Sequence, residues 1–334
     1  MPRSTADNFF GGYSLSSGLR LPRTRPILAL VLVTISTAQR ATSQAPATPE
    51  TIQVGGARLQ IDFEGPALDL PKPSVEAHLR QAAQAVNIYY GRFPVSSADI
   101  IVLTTPGQEG MLQGTTWGNV KGFAAVSRLK IGEHTTAQEL DGDWIATHEL
   151  VHMALPSLPD AQHWLEEGIA TYVEPIARVQ AGQLHADYIW KEMLEGMPFG
   201  EPKAGDRGLD RTHTWGRTYW GGALFCLWAD VEIRKKTANQ KGLQDALRGI
   251  VESSGTLNRE WPVLRVLRAG DDATGTTVLQ DLYTAWSENA VPVDLFDLWQ
   301  QLGVRLETGK IVFDDAAPLA NIRLAITSAR PATR

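Results

Sequence analysis

His148-Glu149-Leu150-Val151-His152 is the stretch on which the reading of this chain turns, and it lies within the amphipathic run Asp143–Leu155. On a helix, positions four apart stack about 6 Å from each other on one face, so both imidazoles reach a single cation. Glu149 stands beside the first of them and approaches a water on that cation rather than the cation itself. Two neutral imidazoles and a carboxylate suit Zn²⁺, with the fourth position open for the water. Binding there brings the pKa of the water down towards ~7, where Glu149 serves as general base. The bland alternative is a helix whose histidines are merely packed or solvated. Leu150, Val151, Ala154 and Leu155 make it a buried helix, which a catalytic metal helix must also be.

The third ligand has to come from elsewhere. After the break Pro156-Ser157-Leu158-Pro159 the chain reads Trp164-Leu165-Glu166-Glu167-Gly168-Ile169-Ala170-Thr171-Tyr172-Val173-Glu174. A second helix returning after a short turn presents one carboxylate to the same metal, and the spacing does not choose between Glu166 and Glu167. Glu174 lies near the same face as Glu167 and is a candidate to orient a ligand histidine, with a surface carboxylate as the alternative. His163 and His213 are candidate pocket residues, with a structural role as the commoner fate of a lone histidine.

These two segments together resemble the gluzincin metallopeptidases, the clan of thermolysin, aminopeptidase N and the glycyl aminopeptidases, and most closely its peptidase MA-like group. The resemblance makes the glutamate immediately before Gly168, which is Glu167, the third zinc ligand, and puts Glu166 at the variable position. The 14 residues between His152 and Glu167 are a shorter gap than in aminopeptidase N relatives. Arg217-Thr218-Tyr219-Trp220-Gly221-Gly222-Ala223-Leu224, leading into Asp230-Val231-Glu232-Ile233-Arg234, is similar to a further segment of the same enzymes. By that resemblance Tyr219 donates to the tetrahedral oxyanion, and a phenol near the positive end of a helix suits the role. A simple core aromatic is the other reading of Tyr219. Gly221 stands where the family carries a lysine. The family's G-x-M-E-N loop, which holds a substrate ammonium in the aminopeptidases, is absent. Gly122-Phe123-Ala124-Ala125 lies at a comparable distance and carries no acid, so Glu166 or Glu174 would have to supply one.

Composition bounds the rest. The chain has 334 residues, 43% hydrophobic and 20% charged, which suits a globular protein with a real core and excludes a disordered or collagen-like chain. A formal net charge of -6 recommends no nucleic acid as partner, and the single Cys226 excludes a disulfide framework or a cysteine-rich zinc site. The metal site must therefore come from His and carboxylates. Residues 1–45 differ from the remainder. Arg20, Arg23 and Arg25 precede an apolar run of 13 residues from Pro26 to Ala38, then small residues at Ser36/Ala38 and Ser43/Ala45. That is the order of a secretory signal, and the run falls short of the roughly 20 residues of a stable membrane span. The segment carries +4, leaving -10 on the part that follows. The expectation is an exported protein, periplasmic or extracellular, after signal removal.

Between them the patterns predict an α+β, thermolysin-like catalytic domain. Residues 46–135 form a small mixed α/β portion and residues 136–334 a mostly helical one, the two making one catalytic unit. A hairpin is expected at Thr51–Phe63 around Gly55-Gly56, a helix over Pro71–Arg92, and strands at Ile100–Leu103 and Gly122–Ile131. A loop rich in Gly, Thr and Gln separates those two strands. Lys121–Ser127 is a candidate edge for pairing with an extended substrate. Helix breaks are expected at Pro156–Pro159, Pro198–Gly208 and Ala269–Gly275, with helices Val278–Ala290 and Val293–Leu302 covering or walling the site. The function that follows is a zinc metallopeptidase acting on a peptide or protein substrate, with His148, His152 and Glu167 on Zn²⁺, Glu149 as base and Tyr219 on the oxyanion. The alternatives are a zinc amidase acting on cell-wall or other non-protein amides, and a binding protein that kept the fold without turnover. The carboxylate of Glu149, which a scaffold does not need, argues against the last.

Overall fold

Alternation of buried and exposed residues builds the first part of the molecule. In β1 (Glu50–Val54) and β2 (Ala57–Glu64), Ile52, Val54, Ala57, Leu59 and Ile61 point to one covered face. Gly55 and Gly56 join them at φ 52° and 82°, the two left-handed residues that a tight hairpin turn requires. The computed structural model describes residues 50–329, which fall in one compact unit. The segment read as a leader, residues 1–45, lies outside them, and among the described residues no helix is long and apolar enough to cross a membrane.

Helix α1 (Lys72–Tyr90) buries Val75, Leu79, Ala82, Val86 and Tyr89, the face its spacing predicts, and stops at Gly91 in the left-handed conformation. It connects β2 to β3 (Ser97–Thr105), which runs parallel beside it. β4 (Met111–Val120) and β5 (Phe123–Gly132) form a second hairpin, and the sheet order is β1-β2-β3-β5-β4 with β3 and β5 parallel. The mixed sheet is as expected, but its edge is not. The Gly/Thr/Gln-rich segment read as a loop is strand β4, and it forms the sheet's outer edge. The candidate edge Lys121–Ser127 falls in the tight turn and in β5, which is paired on both sides. Gly114 and Gly118 hid the strand, since glycine weakens β-propensity. They are there because side chains would not fit. A Cβ on Gly114 would lie 2.2 Å from Cγ of Glu149, and one on Gly118 2.1 Å from the carbonyl oxygen of Leu257.

From Thr136 the chain is helical: α2 (Ala137–Asp141), α3 (Ile145–His152), α4 (His163–Gln180), α5 (Ala186–Gly200), α6 (Gly222–Lys236), α7 (Leu243–Glu252), α8 (Val263–Thr274), α9 (Val278–Trp286), α10 (Leu295–Leu302) and α11 (Ala320–Thr327). A hairpin of β6 (Val304–Glu307) and β7 (Lys310–Phe313) interrupts this part. The break expected at Ala269–Gly275 falls at the far end of that span. α8 runs through Gly270, whose missing side chain admits Leu279 of α9, and ends at Gly275. α9 and α10 are also shorter than the expected spans, stopping at Trp286 and starting at Leu295. α9 buttresses the helices behind the site instead of walling it. Its Tyr283 stacks on Trp164 and donates to Asp210 at 2.6 Å, while Asp210 also accepts from the Trp164 indole at 2.7 Å.

Four helices meet at the centre. α1 packs on α3 and α4, and α4 crosses α6. At that crossing Gly168 faces Gly222, and a Cβ on Gly168 would lie 2.3 Å from Cα of Gly222. The two glycines let the backbones approach closely, and the contact sits next to Glu167.

Candidate metal and catalytic site

Helix α3 is held at both ends. Asp143 accepts the N–H groups of Ile145 and Ala146 at 2.9 and 3.1 Å, satisfying two of the donors that a helix start leaves open. His78 on α1 in turn lies 2.8 Å from Asp143. At the far end the chain turns through Pro156–Pro159, where Ser157 donates to the carbonyl of Arg259 at 2.8 Å and Leu158 donates to Glu166 at 2.9 Å. The turn thus ties α3 to α4, and α4 returns across the histidines.

That return brings Glu167 to His148 and His152. Oε2 of Glu167 lies 3.1 Å from Nε2 of His148 and 3.7 Å from Nε2 of His152, and one ligand atom from each residue falls within 4.8 Å of the others. Glu166 does something else: one oxygen takes the Leu158 N–H and the other faces Nδ1 of His163. His163 also places its Nε2 3.4 Å from Oε1 of Glu167, so the two carboxylate oxygens face different partners. His213 is exposed on the segment preceding Tyr219.

Burial and charge are arranged in opposition here. Residues His148, Glu149 and Glu167 are 4%, 7% and 9% exposed. Burial alone would raise the Glu167 pKa, but the hydrogen bond with His148 and the charges of His152, His148 and His163 outweigh it and hold the carboxyl at about 2. Burial likewise opposes charge on His148, and the bond and charge of Glu167, with Glu149 and Glu174 behind it, raise its pKa nonetheless. Burial pushes the Tyr219 phenol up, and the nearby carboxylates Glu167 and Glu149 push it further, so it remains an O–H donor across the working range of pH.

Glu149 is not one of this cluster of three, and its carboxylate lies against β4. Its Oε2 accepts from the Thr116 hydroxyl at 2.7 Å, and its Cγ packs against the bare backbone of Gly114. Tyr219 sits in a π-helical turn, Gly216–Gly221, immediately before α6, with its ring stacked over His148 at 6.5 Å. Single turns of this kind recur at functional sites. Glu174, the candidate for orienting a ligand histidine, is fully buried with an Arg178 Nη1 donating to it at 3.0 Å. Its pKa rises to about 7, because burial outweighs the opposing pull of Arg178. Nδ1 of His148 is buried without a hydrogen-bond partner, so no bond joins it to Glu174.

Several contributors were not legible as single residues. Gly114 and Thr116 act through a strand that was read as a loop; their alternation with Gly118, small residues at every second position, was the available signal. Trp144, Trp215 and Phe199 are about half exposed. Trp144 meets His148 edge-on at 5.3 Å, and Trp215 lies between Tyr219 and Phe199 at 6.4 and 5.8 Å. They make an aromatic border to the site that only the fold brings together.

The chain shares its fold with a solved aminopeptidase N family protein from Idiomarina loihiensis, at a TM-score of 0.58 and 15% identity, over 78% of this chain and 50% of that one. An M1 zinc metallopeptidase from Deinococcus radiodurans aligns over 74% of this chain and 52% of its own, at 16% identity and a TM-score of 0.47. No family model matches the chain, and no curated protein matches it. The chain spans about half the length of the solved structures it resembles. The fold is thus the one seen in that aminopeptidase N family protein, a mixed sheet followed by a mostly helical remainder.

Proposed function

We propose that this chain is a zinc-dependent metallopeptidase, with His148, His152 and Glu167 as the metal ligands. The observation that carries the reading is the convergence of two imidazole nitrogens and an ionised carboxylate within 4.8 Å, with a second carboxylate, Glu149, next to them in sequence. The donor set fits the metal: two nitrogens and one oxygen are the ligands of a catalytic zinc that keeps a position open. When bound, zinc supplies a Lewis acid that acidifies water and polarises a carbonyl.

The chain's own groups divide the remaining work. Glu149 accepts the proton of the attacking water as its oxygen bonds to the scissile carbonyl carbon. Tyr219 donates its phenolic hydrogen to the oxygen on which negative charge develops. As the C–N bond breaks, Glu149 returns the proton to the departing amine nitrogen, which leaves neutral, and the carboxylate is restored. Glu174 supports the site from behind through its charge on His148. The sheet and helical portions, residues 46–135 and 136–334, act as one thermolysin-like catalytic unit. The outward edge of β4, rather than β5, is the place for an extended peptide to pair. Nothing in the arrangement favours a non-protein amide or a scaffold role over a peptide substrate. Export belongs to the same proposal, on the strength of the pattern from Arg20 to Ala45.

The test is cleavage of a peptide library by the mature chain and by Glu149→Gln. The variant is expected to keep its zinc and lose hydrolysis by several orders of magnitude. Undiminished turnover would remove Glu149 from the mechanism. In the same preparation, an intact mass corresponding to a start at residue 39 or 46 is expected; retention of the whole leader would contradict export.

A further inference from the structure

As the proposed base, Glu149 has to be aimed at the water whose proton it takes. We propose that Thr116, backed by Ser127, is the residue that positions the Glu149 carboxylate; the inference rests on Glu149 being that base. Thr116 Oγ1 lies 2.7 Å from Oε2 of Glu149, 3.1 Å from the Glu149 carbonyl oxygen and 2.7 Å from Oγ of Ser127. A hydroxyl carries one hydrogen and two lone pairs. With the Thr116 hydrogen given to Glu149, the bond between the two hydroxyls has to be donated by Ser127. The result is a directed chain, Ser127 to Thr116 to Glu149, that ends on one carboxylate oxygen.

The anchor of this chain is rigid. Ser127 is fully buried on β5, which is paired on both sides, and it stands directly opposite Thr116 in the β4–β5 register. Two residues earlier on the same face of β4, Gly114 leaves room for the carboxylate and nothing more. A Cβ there would lie 2.2 to 2.5 Å from Cγ, Cδ and Oε1 of Glu149. The carboxylate is therefore held at Oε2 and confined along its length by one strand. A base held in its working orientation has less to reorganise at the moment of proton transfer, and a misplacement of about 1 Å costs about 100-fold. Orientation comes from the sheet, while the metal ligands come from the helices. The two halves of the fold meet at this carboxylate.

The test uses Thr116→Val, which keeps the shape and removes the hydroxyl, and Thr116→Ser, which restores it. Each is measured for kcat and KM separately, for zinc per chain, and for the Glu149 conformation in a crystal structure. Thr116→Val is expected to lose about 10- to 100-fold in kcat with KM within about twofold, to keep one zinc per chain, and to show Glu149 in more than one conformer. Thr116→Ser is expected to return to within about threefold of wild type with a single conformer. A wild-type kcat and a single Glu149 conformer in Thr116→Val would overturn the proposal. So would Thr116→Ser as impaired as Thr116→Val, or loss of zinc in Thr116→Val, which would mark a merely structural residue. Failure of the broader reading looks different: Glu149→Gln would then turn over as fast as wild type.

Discussion

Tyr219 lies in the turn before α6 and Glu149 on α3 against β4, so the proposed oxyanion donor and base come from different elements. Removing the phenolic hydroxyl alone isolates the oxyanion contribution. Tyr219→Phe is expected to lower kcat by about 100- to 1,000-fold while leaving zinc content and KM little changed, as measured by steady-state kinetics on a single peptide. An unchanged kcat would assign the ring to packing against His148. At this scale the sequence is most transparent where chemistry and helix period coincide. His148 and His152 are four apart on one helix, so their convergence follows from the pitch alone. Glu166 and Glu167 were not separable that way, because the phase of α4 over α3 depends on a turn. The turn decides it: the Leu158 N–H claims Glu166, leaving Glu167 over the imidazoles. His163, named from the sequence as a candidate pocket residue, faces Oε1 of Glu167 one helical turn away on α4.

Elements whose residues obey one rule were legible, and elements whose residues answer to a neighbour were not. α1 shows its buried face at helical spacing, and the β1–β2 hairpin declares itself by alternation around paired glycines. β4 has glycine where a strand should have bulk, since Glu149 and the Leu257 carbonyl occupy the space. α8 carries Gly270 in its interior for the same kind of reason, with Leu279 filling the gap. The crossing of α4 and α6 gives this principle a test. Gly168→Ala inserts a methyl where Gly222 already sits and must part the helices beside Glu167. Overpacking of this sort costs about 1–3 kcal/mol, so Tm is expected to fall by about 2–8 °C by calorimetry, with zinc affinity reduced in the folded protein. A variant that matches wild type in both would show that the crossing yields without disturbing the ligand.

On the scale of the whole molecule, the proposal assigns the substrate edge and the alignment of the base to the sheet, and the metal ligands and the oxyanion donor to the helices. The likeness to the aminopeptidase N family protein covers 78% of this chain and 50% of that one. Helices α3 and α4 carry both core residues and the proposed ligands, so the proposal couples stability to chemistry. The account stands on the claim that one metal ion draws together α3 and α4 through Glu167. Its most direct test is zinc affinity, measured by chelator competition for the wild-type chain, Glu166→Gln and Glu167→Gln. We expect one tight zinc per chain in wild type and in Glu166→Gln, and weakening by more than about 100-fold in Glu167→Gln, beyond the range of an outer-sphere change. Equal affinities in all three, or no zinc bound by the wild-type chain, would contradict it.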